Sequence, residues 1–348
     1  MTDRVYLDYN ATAPLRPEAR AAMVAAMDVA GNPSSVHAEG RKARAVVEHA
    51  RAQVAAALGA DGADIVFTSG ATEAAALALA GRALAGAAIE HDAVRAWADD
   101  TLAVDALGRV AVPDPARATL QLANSETGIV QDLPEGLAVS DLTQGFGKLP
   151  FAFNWLRVEM GFVSAHKIGG PKGIGALVMR RGTDLAAQIR GGGQEMGRRA
   201  GTENIIGIAG FGAAAEAAAR DLAEGVWNSV SEIRNILEQA LDAEAKKTIF
   251  VGKEVLRLPN TLCFATPGWK AETQVMQMDL AGFAISAGSA CSSGKMRVSG
   301  VLTAMGLDVH HALGAIRVSI GPATREEDAL RFAAAWLKEY RRFAARAA

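Results

Sequence analysis

Cysteine is nearly absent: the 348 residues hold two, Cys263 and Cys291. That excludes a disulfide framework, and a chain of this length needs none. At roughly 150 residues per domain it reads as about two domains, each large enough for its own core. Aromatic residues are equally scarce at 5 %. No window comes near the roughly 18 uninterrupted apolar residues of a membrane-spanning helix. The Ala-rich stretch after Gly70 is broken by Glu73, Gly81 and Arg82. No charged-then-apolar leader precedes the first strand-like run, so the expected location is cytoplasmic, with reduced thiols. An excess of either charge is missing too. Lys and Arg number 36 against 38 Asp and Glu, a net charge of −2, so no basic field is available for nucleic acid or an anionic membrane. What is plentiful is Ala, at 73 residues, and Gly, at 36. With 50 % apolar and 21 % charged residues and a mean hydropathy of +0.12, this is a soluble globular balance with close helix packing and many tight turns.

Along the chain, strand, Gly-containing turn and helix succeed one another. A short strand at 4–8 runs into the polar turn Asn10-Ala11-Thr12-Ala13-Pro14, and helices are expected at 17–30, 39–58 and 72–84. Strands are expected at 64–67, 87–90, 118–122, 137–140 and 161–164. The rhythm predicts an α/β fold with a mostly parallel sheet. The stretch 209–245 reads as one long helix joining two domains, and β-like runs at 248–251, 260–264 and 315–320 predict a smaller α+β domain after it. The expected division is a large domain at 13–225 and a small one formed by 1–12 with 226–348.

Several segments carry chemistry-bearing residues. Phe67-Thr68-Ser69-Gly70-Ala71-Thr72-Glu73 leaves a strand and opens a helix, where free amides and hydroxyls hold phosphate, or merely cap the helix. Ser164-Ala165-His166-Lys167 sets a lysine directly after a strand in a glycine-rich loop, a place for a Schiff-base amine as well as for a solvated lysine. Asp141 and Gln144 follow an apolar run at the carboxyl end of a strand, where ligands of open α/β sheets bind. A buried Asp there can pair with a protonated pyridine nitrogen, or cap a turn. Cys291 sits among Gly288, Ser289, Ala290, Ser292 and Ser293 in an exposed small-residue setting, whereas Leu262-Cys263-Phe264 is that of a packed structural cysteine. Arg317 interrupts an apolar strand, and an inward guanidinium needs an anion, from a substrate carboxylate or a structural ion pair. The six histidines offer no metal-ligand spacing, and no structural zinc is expected.

In this order the motifs resemble the fold-type I pyridoxal-phosphate enzymes of aminotransferase class V, and within them the cysteine desulfurases that feed iron–sulfur cluster assembly. The resemblance runs from Tyr6-Leu7-Asp8-Tyr9-Asn10 to Arg317-Val318-Ser319-Ile320-Gly321. It is most specific at 164–175, at Gly191-Gly192-Gly193-Gln194-Glu195 with Arg199-Ala200-Gly201-Thr202, and at 286–292. It implies a homodimer that uses pyridoxal 5'-phosphate and converts L-cysteine to L-alanine. Lys167 would bond to the cofactor, His91 would stack on its ring and shuttle protons, and Asp141 would pair with the ring nitrogen. Gln144 and Ser125 would reach the phenolic oxygen. Ala71, Thr72, Ser164 and His166 would hold the phosphate, joined by Thr202 of the second subunit. Arg317 would bind the substrate carboxylate, and Cys291 would accept the sulfur as a persulfide and carry it to an acceptor protein such as a cluster scaffold or sulfur shuttle.

The chain departs from the family pattern in three ways. Ser125 stands where a second Asn is usual, Ala74-Ala75-Ala76 replaces polar residues, and the stretches from His91 to Asn124 and from Ser125 to Asp141 are short, the second leaving little room for a helix. Two other readings stay open: a selenocysteine lyase or other class-V activity, and a non-catalytic subunit of a sulfur-transfer complex.

Overall fold

The structure is a computed structural model that describes residues 4–288 and 298–347. Cys291 and its neighbours from Ser289 to Gly294 lie outside the described residues. In chain order, β1 (Val5–Tyr6) leads to the helices Pro17–Met27 and Ala38–Leu58, then to β2 (Asp64–Thr68) and the helix Ala71–Leu79. Next come β3 (Ala85–Ala87), β4 (Asp99–Leu102), β5 (Val139–Asp141), β6 (Met160–Ser164) and β7 (Gly175–Met179). The helices Ile205–Ala223 and Val226–Glu244 precede β8 (Ile249–Phe250), β9 (Thr261–Ala265), β10 (Phe283–Ala284), β11 (Ser286–Ala287), β12 (Ala315–Ser319) and the helix Glu326–Ala347.

The first sheet has the order β2-β7-β6-β5, and parallel bridges Thr119↔Val139 and Ala85↔Ala118 continue it to β3 and β4. β7 pairs antiparallel with both β2 and β6, while β5 and β6 are parallel, so β7 alone runs against the rest. The connection 165–174 is too short for the crossover of a dozen or more residues that a parallel return needs. Because β2, β5 and β6 share one direction, their carboxyl ends at Thr68, Asp141 and Ser164 meet at one edge, where open α/β sheets bind ligands. Gly175 opens β7 at that edge. A Cβ there would lie 2.6 Å from the Val163 carbonyl oxygen and 2.7 Å from the Gly70 carbonyl carbon, so the turn before the helix 71–79 can rest on the strand only because residue 175 has no side chain.

Several expectations are corrected. The run 209–245 is two helices, broken at Gly225, whose φ of 75° lies in the left-handed region that glycine enters at little cost. The expected strand 118–122 is reduced to bridges at Ala118 and Thr119, β3 lies two residues before its expected place, and the helix after Gly70 stops at Leu79. As its brevity predicts, no helix intervenes between Ser125 and β5.

Apolar side chains collect in separate clusters. One, with Val54, Phe67, Phe146 and Phe211, underlies the first sheet, and another, with Leu237, Leu262, Phe264 and Trp336, underlies the second, whose order is β11-β12-β9-β8. β1 pairs with β10, and Val5 and Leu7 pack in that second cluster. The chain start is thereby tied beside β12, which carries Asp8 and Asn10 to the junction of the two sheets.

Candidate active site

The common strand edge opens into a cavity of about 530 Å³, within the range of small-molecule sites. One end is built for an anion. The amides of the first turn of the helix 71–79 have no intrahelical acceptor, and Ala71 and Thr72 face the cavity with Ser164, His166 and Lys172. Glu73 is committed elsewhere: it accepts from the Ser69 amide at 2.8 Å and pairs with Arg199 at 2.9 Å. Burial, then the charges of Lys167, Lys172 and Lys148, pushes the His166 imidazole down to about 4, so it stays neutral in the open site.

The other end presents Asp141, Gln144, Lys167 and His91. Asp141 closes β5 and its Oδ1 accepts from the Thr143 amide at 2.8 Å. The Lys167 amine donates to the Asn10 carbonyl at 2.5 Å and to the Ala11 carbonyl at 3.0 Å. The Gln144 amide donates to the same Asn10 carbonyl at 3.0 Å. His91 caps the short turn 92–95, with Nδ1 accepting from the Ala93 amide at 3.1 Å, which leaves the proton of a neutral ring on Nε2. The backbone before His91 is held by Gln121 and Asn124, whose side-chain amides donate to the Ile89 carbonyl at 2.7 and 2.9 Å.

A smaller cavity of about 210 Å³ adjoins this one and shares His91 and Ser125 with it; Arg317, Glu90, Glu126 and Gly288 also line it. Arg317 is 3 % exposed, pairs with Asp8 at 2.7 Å, and donates to the Ser125 carbonyl at 2.9 Å. Its Nε is buried with no partner among the described residues, as are Glu90 Oε2 and Glu126 Oε1. Burial raises both carboxyls, Glu126 to about 7 despite the hydrogen bond from Ser299 and the charge of Arg317.

Nine of the residues predicted for the cofactor thus line one cavity: Ala71, Thr72, His91, Ser125, Asp141, Gln144, Ser164, His166 and Lys167. Thr202 is exposed and does not line it in this chain. Its loop is anchored by Glu195, which takes two hydrogen bonds from Arg51 at 2.8 and 3.0 Å and one from the Phe67 amide at 2.9 Å. Cys263 is fully buried in β9, and burial pushes its thiol well up, in keeping with a structural role. Sequence reasoning missed Lys148, Glu126 and the role of Asn10. Lys148 stands four residues after Gln144, the spacing that brings side chains together on a helical turn, and this was the available signal. Glu126 carries no such signal, because its importance comes from residues 288 and 299 folding over it.

The aminotransferase class-V family model matches residues 5–332. A cysteine desulfurase of Cereibacter sphaeroides is 39 % identical over 91 % of this chain and 91 % of its own length. Among solved structures, a NifS-like protein from Rickettsia africae superposes with a TM-score of 0.87 at 30 % identity, covering 97 % of this chain and 99 % of that one. A structure described as SspA in complex with cysteine superposes at 0.76 with 28 % identity, over 92 % of this chain and 100 % of that one. The chain belongs to the class-V aminotransferase family and is an enzyme of the cysteine desulfurase kind.

Proposed function

We propose that this enzyme binds pyridoxal 5'-phosphate in the larger cavity and converts L-cysteine to L-alanine, passing the sulfur to Cys291. The observation that carries the reading is the one cavity holding anion donors at one end and Asp141, Lys167 and His91 at the other. That donor set fits the cofactor: a phosphate suits the helix start with Thr72, Ser164 and His166, and a protonated ring nitrogen suits Asp141. Thr202 of a second subunit would complete the phosphate site. The bound cofactor supplies a ring that withdraws electrons from the substrate α-carbon.

The residues of the chain do the rest. Lys167 is the amine that holds the cofactor, and Asn10 and Ala11 set where that amine lies before it does. Asp141 would pair with the ring nitrogen while the Thr143 amide holds its Oδ1. His91, capped through Nδ1, carries protons through Nε2. The buried Arg317, oriented by Asp8, offers Nε to a carboxylate in the adjoining cavity. Ser125 reaches toward the cofactor's phenolic oxygen with a hydroxyl in place of an amide. In the net reaction the carbon–sulfur bond of L-cysteine breaks and the sulfur atom enters the S–H bond of Cys291, giving alanine and a persulfide. An acceptor protein, either an iron–sulfur scaffold or a sulfur shuttle, then takes the sulfur. We place the large domain at 13–225 and the small one at 1–12 with 226–348, supported by the separate apolar clusters, and read the enzyme as cytoplasmic and homodimeric.

The test is alanine and sulfide formation from L-cysteine by the purified protein with a reductant. The wild type is expected to be yellow and active. Lys167→Ala is expected to lose the visible band with at least a thousandfold of the rate. Cys291→Ser is expected to keep the band and lose persulfide. A colourless wild type that takes up no cofactor defeats the reading.

A further inference from the structure

Lys148 has no place in the scheme above, yet it is among the most deeply buried charged-type residues of the molecule, at 3 % exposure. Its amine donates to Gln144 Oε1 at 2.8 Å and lies 3.4 Å from Asn10 Oδ1. The Asn10 side chain is itself pinned, accepting from Asn260 at 3.0 Å and donating to Thr261 Oγ1 at 2.8 Å and to the Ser125 carbonyl at 3.2 Å. Gln144 is therefore gripped at both ends, with Oε1 on an amine and Nε2 on the Asn10 carbonyl. A lysine amine donates whether charged or neutral, and a carbonyl only accepts, so the reversed amide would set two acceptors face to face. One Nε2 hydrogen serves Asn10, and the second is left for the cavity.

We propose that Lys148 is a positioning residue that locks the Gln144 amide so that it presents a hydrogen-bond donor to the cofactor cavity. This rests on the reading of that cavity as the pyridoxal-phosphate site. The alternative, a lysine that only fills space in the core, requires no particular amide orientation. Burial, then the charges of Lys167 and Arg317, holds the Lys148 amine well below the ordinary lysine range; the other polar groups against it, Gln144 and Asn10, are uncharged. A cavity of about 220 Å³ on the far side, lined by Tyr9, Pro14, Trp227, Lys148 and Lys167, gives small amines a route to the site.

The experiment is a spectroscopic pH titration of the holoenzyme's visible absorbance, which turnover does not enter. A donor to the phenolic oxygen stabilises its anionic form and lowers the midpoint, so Lys148→Met is expected to raise that midpoint by about one unit, the scale of one hydrogen bond to a charged group. Gln144→Leu is expected to give the same rise, and the double variant no more than either single one. Lys148→Ala covers the case in which Met does not fold: added ethylamine is expected to restore its midpoint, and ethanol is not. A Lys148→Met midpoint equal to that of the wild type, shifts that add in the double variant, or no recovery with ethylamine overturns the proposal. A wild type without a visible band overturns the cofactor reading first, and this one with it.

Discussion

The two adjoining cavities are polar in different ways. In the larger, Asp141, Gln144 and His91 each hold a hydrogen bond within the chain, and the buried side-chain atom there without a partner among the described residues is a neutral hydroxyl, Thr12 Oγ1. In the smaller, the buried atoms without a partner among the described residues belong to ionisable groups: Arg317 Nε, Glu90 Oε2 and Glu126 Oε1. A buried donor or acceptor left without a partner costs about 1–3 kcal/mol, more when charged, so each of these atoms calls for one. The larger is preorganised for a resident group. On the proposed reading, the smaller receives the substrate carboxylate at Arg317.

That contrast is open to direct test. The largest effect is expected at Arg317. Arg317→Ala should raise KM for L-cysteine roughly a hundredfold, the scale of losing a buried charge-assisted pair, while cofactor absorbance stays as in the wild type. Lost cofactor with unchanged KM would merge the two cavities into one site.

The next effect concerns stability. Burial pushes the Glu126 carboxyl up to about 7, whereas an unfolded Glu releases its proton near the ordinary value of 4.5. The folded state therefore holds the extra proton between these values, and stability falls as pH rises through that window, by up to about 3 kcal/mol. Urea midpoints measured from pH 4 to pH 8 should show this decline, and Glu126→Gln should reduce it, leaving the part that Glu90 contributes. An unchanged slope in that variant would mean that burial of Glu126 carries no such cost.

The smallest effect lies in the larger cavity and has the opposite sign. His166 is held neutral down to about 4 against an ordinary value of 6.5, so the unfolded state binds the extra proton, and stability is lost as pH falls through that window. In the cofactor-free protein His166→Gln should flatten the acid limb and leave the alkaline limb, where Glu126 acts, as it was. If both limbs move, the two cavities titrate as one coupled unit.

Much of the larger cavity was legible because its residues lie within a few positions of strand ends. Asp141 closes β5, Lys167 follows β6, and Thr72 follows β2. Period and turn signals locate such ends to within a few residues. β7 was not legible, since Gly175–Met179 has no alternation: both faces are buried. The long helix failed at Gly225, where apolar spacing continues on both sides and only the left-handed turn divides it. Asn10 owes its role to side chains and main-chain atoms 115 to 309 positions away, Glu126 to Gly288, Ser299 and Arg317, and Lys148 to Asn10 as well as to nearby Gln144, and local pattern does not report the distant partners.

By itself the sequence determined the α/β class, and its resemblance to the class-V aminotransferases picked out the lysine, aspartate, histidine and arginine that line the two cavities. Only the tertiary structure decided which of them are satisfied and which wait for a ligand. Hydrogen bonding and desolvation depend on neighbours brought from elsewhere in the chain: Asp8 beside Arg317, Asn10 between Lys167 and Gln144, and Gly288 over Glu126.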